Sequence, residues 1–188
     1  MIDNYFKRYV IIPLICYCLF IHHHTVSAHE GHDHSHEAII TIGKKTFVHL
    51  QSVLSAYLDV YHQLVVKKEM DGISDLAQKL SDAAWQGIRT EPVGPGRHMM
   101  QHIQEGAEWL SKANNTDEAQ GAFLSITHAL IPFFKTWPNQ LQRNELKMYR
   151  CEGGHSWLQQ KNTSPVCPCA SNGSPVCLDV EEVNVRSQ

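Results

Sequence analysis

Between Lys44 and Phe134 the apolar residues return at every third or fourth position, broken at intervals by turn-forming residues. That rhythm leaves few folds open. Phe47, Leu50, Leu54, Tyr57, Leu58, Tyr61, Leu64 and Val65 predict an amphipathic helix over 44–69. Asp71-Gly72 punctuates it, and Ile73, Leu76, Leu80, Ala84 and Ile88 predict a second helix. EPVGPG, residues 91–96, reads as a loop, and Met99, Ile103, Ala107 and Leu110 mark a third, shorter helix. Asn115 followed by Glu118 has the form of a capping box. It opens a fourth helix through Phe134, with Phe123, Ile126, Ala129, Leu130 and Phe133 on the apolar face and Pro138 as the stop. Each apolar stripe must find a partner, and short connections make neighbours antiparallel. The expectation for 44–137 is therefore an all-α fold, an antiparallel four-helix bundle.

Beyond Pro138 the period changes. ELKMYRC, residues 145–151, alternates as a strand does, and Gly153-Gly154 is placed to turn it back into HSWLQQ, residues 155–160. KNTSPVCPCASNGSPVC follows, rich in turn formers and cysteine. Residues 138–178 are thus expected to form a small cysteine-bearing irregular or β-hairpin segment, with 179–188 as a tail.

At the other end, Lys7 and Arg8 precede YVIIPLICYCLFI, an apolar run of thirteen residues, and then Val26 and Ala28 stand as small residues before a cut. Charge, apolar run and small residues in that order are those of a secretory signal over 1–28. The run is short of the roughly 20 residues that span a bilayer. Cleavage after Ala28 and a periplasmic destination are expected, with an uncleaved amino-terminal anchor as the alternative. After cleavage the net charge is −4, from 14 basic and 18 acidic residues. That balance offers nothing to nucleic acid.

Three constellations bear on chemistry. HEGHDHSHE, residues 29–37, holds four histidines and three carboxylates and no residue able to build a core. With residues 38–43 it reads as a mobile tail and linker. His29, His32, His34 and His36 are spaced so that a short chain can wrap them round one ion. Neutral imidazole suits copper, zinc and nickel. His98 and His102, in HMMQH, fall at i and i+4 and share one helix face, where they can chelate a metal or simply cap the end of a bundle. The peptidase motif needs glutamate after the first histidine, and Met99 stands there. Cys151-x3-His155, Cys167-Pro-Cys169 and Cys177 offer thiolates and imidazole to copper(I) or zinc, or else two structural disulfides in an oxidising compartment. His49, His62 and His128 stand singly in amphipathic helices and read as structural.

The alternating segment, the cysteine, Trp-Leu, Asn, Pro and a further cysteine, all behind a helical domain, resemble a bacterial periplasmic family of unknown function. That family occurs alone or fused to heavy-metal and copper efflux adaptor subunits. The resemblance covers roughly residues 46–170 and is strongest in FVHLQSVLSAYLDVYHQLV and MYRCEGGHSWL. The family pattern runs Cys-Pro-Met, Trp-Leu, Asn-Pro-Tyr, a final Met and Cys-Gly. Cys151 matches its first cysteine, Trp157-Leu158 its Trp-Leu pair, Asn162 its asparagine, and Cys167 or Cys169 its last cysteine. Glu152-Gly153 replaces Pro-Met, and neither Asn-Pro-Tyr nor the final Met is present. Without those methionines, His155 and the extra thiol would have to complete a copper(I) site.

The expected function is that of an exported metal-binding protein, not an enzyme. It captures or buffers copper, or else zinc or nickel, and hands it to an efflux system. The chain carries no Gly-x-Ser-x-Gly, phosphate-binding loop or dinucleotide fingerprint. The alternative is an envelope interaction module with structural disulfides that docks on an efflux adaptor. A metal-dependent oxidoreductase using His98, His102 and a buried histidine stands behind both.

Overall fold

The structure is a computed structural model that describes residues 40–135, 145–169 and 180–182. These lie within one unit, residues 37–188. The segment expected to be a secretory signal, the tail histidines His29, His32, His34 and His36, and Cys177 lie outside the described residues. The chain runs through α1 (Lys44–Tyr61), a single π-helical turn (His62–Val66), α2 (Ile73–Thr90), α3 (Pro95–Ser111) and α4 (Thr116–Lys135). Three short strands follow: β1 (Leu146–Cys151), β2 (Ser156–Gln160) and β3 (Val180–Glu182). The described fold is mostly helical with a small antiparallel sheet of order β2-β1-β3. Among the described residues no helix is long and apolar enough to cross a membrane.

The helix ends follow local chemistry. α3 begins at Pro95, four residues before the first periodic methionine, because a ring nitrogen without N–H costs nothing in a first turn. Two residues expected in the loop, Pro95 and Gly96, therefore belong to the helix. At the start of α4 the Asn115 Oδ1 accepts the Glu118 N–H at 2.9 Å, and the Glu118 carboxylate accepts the Asn114 N–H at 2.8 Å. The reciprocal cap is the expected one, with its return bond moved one residue outward. The Asn114 N–H, and after it the Asn115 side-chain amide, hold the Glu118 carboxyl below its usual range. The helix expected to run on to Glu69 instead widens at His62, where the Lys67 N–H reaches the His62 carbonyl at 2.9 Å. The Gln63 amide then ties down the exit, donating to the Asp71 carbonyl at 2.9 Å and the Glu69 carboxylate at 3.0 Å.

Packing runs neighbour to neighbour, α1 on α2, α2 on α3 and α3 on α4. The predicted stripes supply the core. Leu50, Tyr57 and Leu64, Ile73 and Leu80, Ile103 and Leu110, and Phe123, Ile126 and Phe133 are all buried. α3 and α4 approach closely at Gly106, where a methyl group would meet Ile126 Cγ1 at 2.7 Å. Glycine there lets α3 and α4 come together. Tyr57 of α1 stacks on Phe123 of α4 with ring centroids 4.9 Å apart, so the first and last helices also meet.

The predicted strand and its return form a hairpin in the register Leu146↔Gln160 to Arg150↔Ser156. β2 packs on α4, and its Trp157, Leu158 and Gln159 are fully buried. β3 falls in the stretch expected to be a tail. It pairs with the open edge of β1, Cys151 opposite Val180, and Lys147 bonds Glu182 across the ladder. An unpaired strand edge offers a row of amide donors and acceptors, and β3 covers the Tyr149–Cys151 half of this one.

Candidate metal centre

Cys151 is the last residue of β1 and sits at the mouth of the hairpin. The turn beyond it is closed by Cys151 N–H donating to the His155 carbonyl at 3.0 Å and Gly154 N–H donating to the Cys151 carbonyl at 2.8 Å. Gly154 has φ of +80°, a conformation that only glycine adopts without strain. The backbone round Cys151 is therefore held on both sides of the residue.

Cys167 and Cys169 arrive from a loop with no regular structure, and one side chain organises it. Gln159 is fully buried. Its Oε1 accepts the Tyr61 hydroxyl at 2.7 Å, the Trp157 Nε1–H at 3.0 Å and the Val166 N–H at 3.2 Å. Its Nε2 lies within donating reach of the Thr163 carbonyl at 3.1 Å, the Thr163 hydroxyl at 2.9 Å and the Ser164 carbonyl at 3.1 Å. The Tyr61 hydroxyl also faces the Val166 carbonyl at 2.7 Å. Burial raises the Tyr61 phenol to about 12, so it remains a donor throughout the neutral range. Burial likewise raises Tyr57, whose hydroxyl receives the Leu158 N–H at 3.4 Å. The loop from 163 to 166 is thus bonded to α1 and β2 immediately before the first of the paired cysteines.

The result is three sulfur atoms, those of Cys151, Cys167 and Cys169, all within 4.8 Å of one another. Cys151 Sγ and Cys169 Sγ are 4.0 Å apart, about twice the ~2.05 Å of a sulfur–sulfur bond, so these two are not joined to each other. With metal–sulfur bonds of about 2.3 Å, an ion between thiolates separates the sulfurs by about 3.8 Å if tetrahedral and about 4.0 Å if trigonal. The Cys151–Cys169 spacing fits an ion as it stands, and no pair need close by more than about 1 Å. Cys151 and Cys167 are buried and Cys169 is partly exposed, which gives the cluster one open side. Thiolate donors select soft ions, copper(I) and zinc among them.

The other expected ligands are distributed differently. His155 is exposed at the hairpin turn and stands outside the group of sulfurs, so the Cys-x3-His spacing does not bring its ring into that group. Its contribution is the backbone carbonyl that closes the turn on Cys151. His98 and His102 lie on α3 and are exposed, with their Nε2 atoms 3.0 Å apart. Tyr61 and Gln159 were not among the expected site residues. A glutamine inside an alternating strand gives no signal of its own, although a polar residue directly after Trp157-Leu158 is the place where one could be sought.

Compared with protein-family models, curated proteins and solved structures, the chain matches none.

Proposed function

We propose that this chain is an exported, non-catalytic metal-binding protein whose Cys151, Cys167 and Cys169 hold a soft ion, copper first and zinc or nickel as alternatives. The observation that carries the reading is the convergence of three sulfurs within 4.8 Å from two chain segments, each fixed by its own hydrogen bonds. Convergence from separate segments matters because an ion there would link the hairpin to the following loop, and binding free energy becomes folding free energy. The histidine tail at 29–37 would gather divalent ions with little discrimination, and an efflux adaptor subunit is the partner that the family resemblance suggests. The helices that carry the site we take as an antiparallel four-helix bundle. Neighbour-to-neighbour packing and the Tyr57–Phe123 stack between the first and last helices support that arrangement.

The test is direct. Untagged full-length protein isolated from the cell envelope is assayed for bound metal and for thiols reactive after denaturation. It is then compared with the Cys151→Ser, Cys167→Ser, Cys169→Ser triple variant. The wild type should take up about one equivalent of copper(I) and unfold at higher temperature with it, and the triple variant should do neither. A wild type with no reactive thiols and a melting temperature indifferent to copper(I) would make the cysteines structural disulfides and the chain an interaction module.

A further inference from the structure

His98 and His102 occupy successive turns of α3 on its exposed side. Their rings meet edge-on, with centroids 4.3 Å apart and planes at 69°, so that the two Nε2 atoms face each other at 3.0 Å. Behind His102, the Glu105 carboxylate lies 3.3 Å from Nδ1. We propose that this pair is a second metal site, chemically distinct from the sulfur cluster. It takes a divalent ion of the copper(II) or nickel(II) class, with Glu105 as the positioning residue behind it. The site shares no residue with the cluster and does not depend on the cluster binding anything.

The argument runs from the nitrogens outward. A carboxylate opposite Nδ1 favours the tautomer of His102 that carries its proton on Nδ1, which leaves the Nε2 lone pair pointing at His98. With no ion present, His98 donates its Nε2–H into that lone pair. When His98 takes the other neutral tautomer, its proton moves to Nδ1 and its Nε2 lone pair is freed, and a modest rotation of the two exposed rings turns both lone pairs toward one point in solvent. Carboxylate, histidine and ion in a line is the usual support of a ligating imidazole.

The spacing also discriminates. Two nitrogens 3.0 Å apart and each about 2.05 Å from an ion subtend about 94° at that ion. Adjacent positions of a square-planar or octahedral ion are 90° apart, whereas a tetrahedral ion asks for about 109°. Copper(II) and nickel(II) favour the first geometries and zinc the second. Since both histidines are exposed, water completes the coordination.

The experiment uses the full chain with His29, His32, His34 and His36 changed to alanine, which removes competition from the tail. Nickel(II) chloride is titrated by calorimetry into this parent and into the same chain with His98→Ala or His102→Ala. The parent should bind one nickel equivalent more than either variant, and all should keep the same far-ultraviolet circular dichroism. Glu105→Gln should keep that equivalent but weaken it by about tenfold, the low end of what outer partners of ligating histidines contribute. Zinc(II) should bind at this position less tightly than nickel(II). Equal stoichiometry and affinity in the parent and both histidine variants would overturn the site. An unchanged affinity in Glu105→Gln would remove Glu105 from it, and tighter zinc than nickel would overturn the geometric assignment.

Discussion

The helices and the thiol-bearing segment are held together by different means. In the helical part, each element buries a stripe of apolar side chains on its neighbour, and stabilisation is spread over many contacts. Leu50, Leu80, Ile103 and Phe123 are all essentially inaccessible, yet none is the sole support of its helix. From 145 to 169 the chain has two short strands and a loop, too little to build an independent core. There the arrangement depends on Gln159, whose amide gathers partners from α1, β2 and the loop. Distributed packing tolerates small losses. A buried polar hub does not, because removing it leaves several groups without partners in a place water cannot reach.

The largest expected effect follows from that contrast. Gln159→Leu keeps the volume but strands the Trp157 Nε1–H, the Val166 N–H and the Thr163 and Ser164 carbonyls, all of which now bond the amide. Urea unfolding should show a loss of about 3 kcal/mol. Metal binding by the thiols should weaken as well, because Cys167 follows the freed loop. An unfolding free energy within error of wild type would show that the hub is incidental.

Gly106→Ala tests the other region. The added methyl would lie 2.7 Å from Ile126 Cγ1, so α3 and α4 must separate slightly, against the modest gain of alanine in a helix. A net loss of about 1–2 kcal/mol is expected from such overpacking. Thiol metal affinity should stay at the wild-type value, although stability falls. Equal loss of metal affinity in both variants would show that the thiol loop depends on helix packing as much as on the hub.

Tyr61→Phe removes one donor from the hub and should cost about 1 kcal/mol. Its pH dependence has a definite sign. The folded phenol titrates at about 12 against 10.0 for a free one, so the protonated form is the one stabilised by folding. The difference between wild type and Tyr61→Phe should be constant at neutral pH and shrink as pH rises from 10 toward 12. A difference that changes between pH 6 and 8 would point to another group.

The smallest effect belongs to the α4 cap. The Glu118 carboxyl is held below its ordinary 4.5 by the Asn114 N–H and the Asn115 side chain. Its contribution is present above that ordinary value and disappears as pH falls through the depressed one. Melting curves of wild type and Glu118→Ala should therefore differ slightly at pH 6 and converge in acid. A gap that widens in acid would contradict the cap.

These two regions were also unequally legible in the sequence. Periodicity located all four helices, since burial of one face leaves its mark on every turn. The fourth start at Asn115 and the hairpin round Gly153-Gly154 were visible because caps and turns are local chemistry. The π-helical turn at His62–Val66 left no mark, for the apolar spacing there suits an ordinary helix as well. The start of α3 at Pro95 was hidden inside a stretch that reads as loop. In the candidate site the cysteines were evident by type, but their grouping is a property of three dimensions. So is the partnership of Tyr61 with Gln159, which lies 98 residues along the chain. His155 shows the converse, a spacing that suggested a ligand where the fold uses the backbone carbonyl. The pairing of His98 with His102 was readable at i and i+4, whereas Glu105 gained its meaning only from the 3.3 Å contact.

The hub at Gln159 also bears on how the protein ages. Side-chain amides hydrolyse spontaneously to carboxylates, a change that exchanges one nitrogen for one oxygen and scarcely alters shape. At an exposed glutamine the result is a new surface charge. At Gln159 the new oxygen would face the Thr163 and Ser164 carbonyls where an amide proton now points, with the charge buried beside them. A carboxylate at 159 would therefore oppose closure of the loop that leads to Cys167 more than it would disturb the packing of the helices.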